Sequence, residues 1–282
     1  MLQLKKESII SLYSSISNDL RINIVKRDKN FMEFDIIGVH PSVANCIRRV
    51  IMNEIPTLAI DTVIVKANTG VMADEILCHR IGLIPIMIDP DTVEFRTGDL
   101  SPTNSIKFHL NVKNDTKNIT TVYSDSIEVD QQHNLSDVVK KGCIITKLAP
   151  GQHIHLEMYA EKNIAKVHTK WSPVCPITYR LHPIIQIGDF YGDDAIEVKN
   201  KFTKGVIQIE ENKAVVKNER IERMSRNSME INTEDIFIGK KTDHFIFTIE
   251  TLWMDPLDIL KRGLKVFKEK ILKMKEEAYN IS

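Results

Sequence analysis

Asp74, Glu75, His79 and Arg80 crowd into one short stretch of the chain. Two carboxylates, an imidazole and a guanidinium at that spacing are the raw material of general acid–base chemistry or of a metal site. A helix over Asp74–Gly82 would put Glu75 and His79 on one face at i,i+4, with Arg80 alongside. His153 and His155 are a second candidate pair, because they alternate along a predicted strand and face one side, where they could ligate a metal. Neither set is accompanied by HExxH, a Gly-rich phosphate loop, a GxSxG elbow or an acidic triplet. Cys46, Cys78, Cys143 and Cys175 are dispersed without CxxC spacing, and read as reduced, partly buried thiols. The residues therefore assign no catalytic group, no cofactor and no metal. A stand-alone metal hydrolase is the reading from a different functional class that they support least.

The elements that must position these groups begin upstream. Val39–Pro56 (VHPSVANCIRRVIMNEIP) opens with Pro41 and Ser42, a first-turn proline and a capping hydroxyl, and Pro56 stops it. Val43, Cys46, Ile47, Val50 and Ile51 recur at three- and four-residue steps, so they share one helix face. Arg48 and Arg49 point about 100° apart and cannot both lie under that stripe. At the other end, Asp255-Pro256 starts a helix in which Leu257, Leu260, Leu264, Phe267, Ile271 and Met274 form a heptad seam. Gly263 costs that helix about 1 kcal/mol against alanine, so packing must hold it. Docking on its own domain and pairing with another chain both fit the seam. Lys261, Arg262, Lys265, Lys268, Lys270, Lys273 and Lys275 read as its solvated face rather than as a nucleic-acid surface.

Between the helices the pattern is mostly extended. Leu20–Val25 and Phe31–Ile37 flank a turn and predict a hairpin. Strands are expected over 58–66, Ile106–Val112, His153–Tyr159, around Trp171–Ile187, and over His244–Thr251. Gly82 is expected to close the short helix, and Gly188–Glu230 reads as charged and irregular with two short strands. The chain has 282 residues, with Lys+Arg and Asp+Glu both at 38, so it lacks the basic excess of a generic nucleic-acid coat. No apolar run approaches the roughly twenty residues of a membrane span, and the first eighteen residues read as a flexible or docking arm rather than a signal peptide.

With NCIRRVIMNEIPTLAID, then Ile60–Val65, Asn68-Thr69-Gly70 and Asp74–Ile86, the chain resembles the alpha-like motif of the RNA polymerase subunit family, which has bacterial, archaeal and eukaryotic members. Leu148–Gln152, Trp171–Val174, Ile177–Leu181 and Asp243–Phe247 are similar to the version shared by eukaryotic RNA polymerases I and III. The resemblance implies an α+β fold. A discontinuous dimerisation domain (19–56 and 174–282), an antiparallel sheet with two long helices, would carry an inserted, mostly-β domain (57–173) after an arm at 1–18. It implies a non-catalytic assembly subunit that pairs with a smaller alpha-like subunit through Val43, Cys46, Ile47, Val50, Ile51, Leu257, Leu260, Leu264, Phe267, Ile271 and Met274. The family's arginine pair matches Arg48 and Arg49, and implies contact with the second-largest subunit. Asp74, Glu75, His79 and Arg80 would join that large-subunit surface. The largest subunit would enter the same assembly, DNA would be met only through the complex, and no membrane is involved. The expected location is the nucleus (nucleolus and nucleoplasm), with the cytoplasm during assembly. Family members of RNA polymerase II and many archaeal ones carry a cysteine cluster after the short helix; here Met87–Leu110 has none. A polymerase II or viral subunit that has lost its metal loop is the alternative.

Overall fold

The computed structural model describes residues 20–130, 137–223 and 235–280. The arm expected at 1–18 lies outside them. In chain order the elements are β1 (Arg21–Arg27), β2 (Phe31–Ile37), α1 (Pro41–Asn53), β3 (Thr57–Asn68), α2 (Asp74–Gly82), β4 (Ser105–Lys113), β5 (Thr120–Tyr123) and β6 (Ile127–Val129). They continue with β7 (Ile144–Leu148), β8 (His153–Asn163), β9 (Val174–Ile187), α3 (Gly192–Lys201), β10 (Ile207–Glu210), β11 (Lys213–Val216), β12 (Ile236–Thr251) and α4 (Pro256–Asn280). The fold is α+β. Contacts group it into two units, 1–48 with 178–248 and 49–177 with 249–282.

In the first unit the hairpin β1–β2 turns at Asp28, whose amide donates to the Phe31 carbonyl at 2.7 Å. The sheet order is β1-β2-β12-β9. Alternation in β2 and β12 turns Phe34 and Phe247 inward, where their rings stack with centroids 5.2 Å apart, and Tyr179 packs on both Phe245 and Phe247. β9 is an edge strand, which is why it tolerates Pro176 and Pro183. α3 is an addition to the expected pattern. Asp193 and Asp194 sit in its first turn and Lys199 and Lys201 in its last, as the helix dipole favours. Its buried face is only Ala195 and Val198, too narrow to leave a clear periodic signal. They pack with Phe202, Val206, Ile207 and Ala214 into a small core beside the β10–β11 hairpin.

The second unit is built on β8. It pairs antiparallel with β3 on one side and β4 on the other, and β6 extends the sheet beyond β4. Along β8, Ile154, Leu156, Met158 and Ala160 are buried, while His153, His155, Glu157 and Tyr159 occupy the other face and are only half-buried. Helix α2 lays Leu77 and Ile81 into the same core. Gly82 does not close it through a left-handed turn, as expected from the sequence. A Cβ there would stand 3.2 Å from the Ile60 carbonyl oxygen, so the glycine permits close approach to β3. Glu161, buried at the end of β8, accepts hydrogen bonds from Thr62 at 2.8 Å and from Arg96 at 3.0 and 3.1 Å. Trp171 is buried nearby and donates its indole N–H to the Glu161 carbonyl at 3.0 Å.

Helix α4 is held in this unit through its first half. Ile259, Leu260 and Gly263 are buried. A Cβ on Gly263 would fall 2.4 Å from Cγ1 of Ile51, a distance that only a glycine allows, and in ordinary contact with Cδ1 of Ile55 at 3.5 Å. Arg262 reaches Asp89 and Asp91, each at 3.0 Å, and Lys270 reaches Glu54 at 2.6 Å. The local cost of glycine in the helix is thus the condition for its docking. Gly263→Ala is expected to lower stability by about 1–3 kcal/mol through overpacking, although alanine is the better helix former. Thermal unfolding checks this, and Gly263→Ala should cost less in an Ile51→Ala background, where the methylene it meets is gone.

Candidate functional site

The heptad seam of α4 changes character along its length. Leu260 is buried and Leu257, Leu264 and Phe267 are half-buried, but Ile271 is 45% and Met274 67% exposed. From Lys268 to Asn280 every residue is exposed, including Leu272 and Tyr279. The chain therefore covers the first half of an amphipathic helix and leaves Ile271, Leu272, Met274 and Tyr279 uncovered in the second. The stripe that does the inward packing is Pro256, Ile259, Leu260 and Gly263; it shares Leu260 with the seam, and its other members each stand one position before a seam residue.

On α1, Ile47, Val50 and Ile51 are buried, whereas Val43 and Cys46 are half-buried. Ser42 lies in the first turn instead of capping. His40 takes that role, its ring accepting the Ser42 amide at 3.3 Å and meeting the Ser42 hydroxyl at 2.8 Å. Arg48 is half-buried and grips the Asn45 side-chain oxygen through Nε and Nη2 at 3.2 and 3.0 Å. Arg49 is exposed.

The polar cluster on α2 is an organiser of its surroundings. Asp74 accepts from Asn68 at 2.6 Å at the start of the helix. Arg80 donates from Nε to the Ile145 carbonyl at 2.9 Å and from Nη2 to the Ile144 carbonyl at 2.8 Å, which ties α2 to β7. His79 meets the edge of the His168 ring at 5.6 Å, and Glu75 is exposed. Burial and the neighbouring Asp74 and Glu75 carboxylates push the Cys78 thiol above its ordinary pKa, so it is a poor nucleophile. His153 and His155 stand with ring centroids 6.2 Å apart, and His153 is engaged by Asn111 at 2.8 Å. Among the described residues no three His, Cys, Asp or Glu side chains converge to hold a metal.

Sequence reasoning missed two features. One is the apolar edge that the expected strand β1 presents, with Ile22, Ile24 and Val25 exposed on it and Leu20 exposed just before it. The alternation in LRINIV carried that signal. The other is a polar cluster in the first unit. Arg220 clasps Asp35 at 2.6 and 2.7 Å and Glu33 at 2.9 Å, and His244 approaches the same Asp35 at 3.0 Å. His182 stacks on His244 with centroids 4.4 Å apart. Arg180 donates to the carbonyls of Arg220 and Glu222 and holds the segment in place. Burial opposes the charge of Arg220, yet the Asp35 and Glu33 carboxylates outweigh it and raise its pKa. Burial lowers that of His182, with the His244 ring adding to the effect.

The chain matches a family model described as the RNA polymerase Rpb3/Rpb11 dimerisation domain over residues 33–271. It is 32% identical to a protein of Mus musculus named DNA-directed RNA polymerases I and III subunit RPAC1, covering 92% of this chain and 84% of that one. A Dictyostelium discoideum protein of the same description is 33% identical over 89% of this chain and 80% of its own length. A DNA-directed RNA polymerase subunit Rpo3 from Pyrobaculum neutrophilum is 36% identical over 60% of this chain and 64% of its own.

Two outcomes follow from the polar cluster. Arg220→Met leaves the Asp35 and Glu33 carboxylates without their cation, and is expected to destabilise the fold by about 3 kcal/mol or more, measured by denaturant unfolding. Because the folded-state pKa of His182 lies below its ordinary 6.5, the unfolded chain binds the proton more readily. The stability His182 contributes is present above pH ~6.5 and is lost as pH falls from there through the folded value. His182→Gln should flatten this part of the pH profile of the melting temperature.

Proposed function

The chain belongs to the RNA polymerase Rpb3/Rpb11 dimerisation-domain family, and from that premise we propose its role in the assembled enzyme. It is a non-catalytic assembly subunit of DNA-directed RNA polymerases I and III, acting as one half of an alpha-like heterodimer in the nucleus. The half-covered α4 carries this reading. Ile271, Leu272 and Met274 are exposed on a helix of 25 residues that its own chain packs only at the start. Burying side chains of that size contributes about 1.5–3 kcal/mol each, against an association cost of about 4–15 kcal/mol. The α4 seam alone is marginal, so the stripe of α1 must join it. Val43 and Cys46, half-exposed, are its available members.

Residues 19–56 and 174–282 form the dimerisation domain in this reading, with 57–173 as the insertion. The sheet membership supports the assignment: β1, β2, β9 and β12 come from the outer segments, and β3, β4, β6 and β8 from the inner one. The smaller alpha-like subunit occupies the helical face. The second-largest subunit meets Arg48 and Arg49 and the α2 surface of Asp74, Glu75, His79 and Arg80, and the largest subunit joins through that assembly. Their use in rRNA, 5S rRNA and tRNA gene transcription places the complex in nucleolus and nucleoplasm, with assembly beginning in the cytoplasm.

Ile271→Asp with Met274→Asp is the direct test, because both positions are solvent-facing in the chain and folding should survive. A loss of co-purification with the small alpha-like partner of about a hundredfold or more is expected from two charges placed in a desolvated seam. Heterodimer recovery at the wild-type level would overturn the assignment. Arg48→Ala and Arg49→Ala are expected to keep the heterodimer and weaken recruitment of the second-largest subunit, the double variant most, by several kcal/mol if the contacts are charge-assisted. Pull-down of the purified heterodimer with that subunit measures it.

A further inference from the structure

Helix α2 and strand β7 flank an open apolar groove of about 440 Å³ that the dimer face does not use. Val71, Ile76 and Ile144 line it and are 89%, 57% and 51% exposed. Scattered aliphatic residues on a surface are ordinary, but three around one concavity mark a docking place. The floor has an unusual construction. β7 pairs only with β5, so its other edge is open among the described residues. An open edge is normally a template for an added strand. Here the Arg80 guanidinium already occupies the carbonyls of Ile144 and Ile145, at 2.8 and 2.9 Å, and those acceptors are denied to a ladder.

Recognition must then come from side chains. Both charged groups lining the groove, Arg80 and Lys147, are cationic. Arg80 uses Nε and Nη2 on the backbone, and its Nη1 makes no bond to another described residue. A guanidinium held so firmly, with donors to spare, is suited to a carboxylate. We infer that this groove docks a short aliphatic segment bearing an acidic side chain, contributed by another subunit of the same polymerase. The inference rests on the proposed function for the source of the segment, and it places a specific contact on the α2 surface assigned to the large subunits.

A photo-crosslinking amino acid placed at Ile76, and separately at Val71, in the assembled polymerase tests it. Mass spectrometry should find one segment of another subunit, with two or more aliphatic residues beside an Asp or Glu. Crosslinks confined to this chain, or to a basic or purely polar segment, would overturn the inference. Ile76→Asp and Ile144→Asp, both at exposed positions, should lower recovery of the large subunits at least about tenfold and leave the heterodimer intact. Unchanged recovery with both substitutions would count against the groove. Lys147→Glu should weaken the same step, and replacing the crosslinked acidic residue by lysine should restore it. Failure of the heterodimer itself is read separately, from the α4 substitutions, so the groove and the wider function fall independently.

Discussion

Helix α4 can lie where it does only because Gly263 has no side chain. Its Cα faces Ile51 and Ile55 so closely that a single methyl group would overlap a buried methylene. From that contact the rest of the helix is set. Pro256, Ile259 and Leu260 are carried into the interior, and Arg262 and Lys270 are delivered to Asp89, Asp91 and Glu54. These ion pairs are partly exposed and individually worth little. They fix the rotation of the helix rather than its stability. Ile271 and Met274 lie further along the helix, past the residues that cover its first half, and their exposure becomes a property of the fold.

The inner surfaces follow a different logic. In the first unit, Asp35 would be an expensive burial were it not shared between Arg220 and His244. Arg180 also pins a segment with little regular structure, by donating to the carbonyls of Arg220 and Glu222. In the second unit, Glu161 is matched by Arg96 and Thr62, while Trp171 satisfies its indole on the Glu161 carbonyl. Every one of these carboxylates has a structural partner.

Arg80 illustrates how an exposed charge can serve structure first. Two of its donors bind the backbone of β7 and close an edge that could otherwise recruit a foreign strand. What remains available around it is apolar surface and positive charge, a combination that favours a specific segment over general strand addition. Aggregation is discouraged at the same place where a partner is invited.

The sequence by itself determined the elements whose information is local. Hydrophobic periodicity placed α1 and α4, and alternation placed β4 and β8, since each signal depends on neighbours a few residues away. The alpha-like motif made the family legible as well. Local reading failed where the deciding partner is far along the chain. Gly82 looks like a helix terminator until Ile60 is beside it, and Gly263 like a defect until Ile51 is. α3 buries only two residues of its own and needs the β10–β11 hairpin to define its face. Periodicity gave the α4 seam a single character from Leu257 to Met274. Only tertiary packing could divide it into a part the chain buries and a part it offers outward, because burial is decided by what lies across the helix and not by the residues along it.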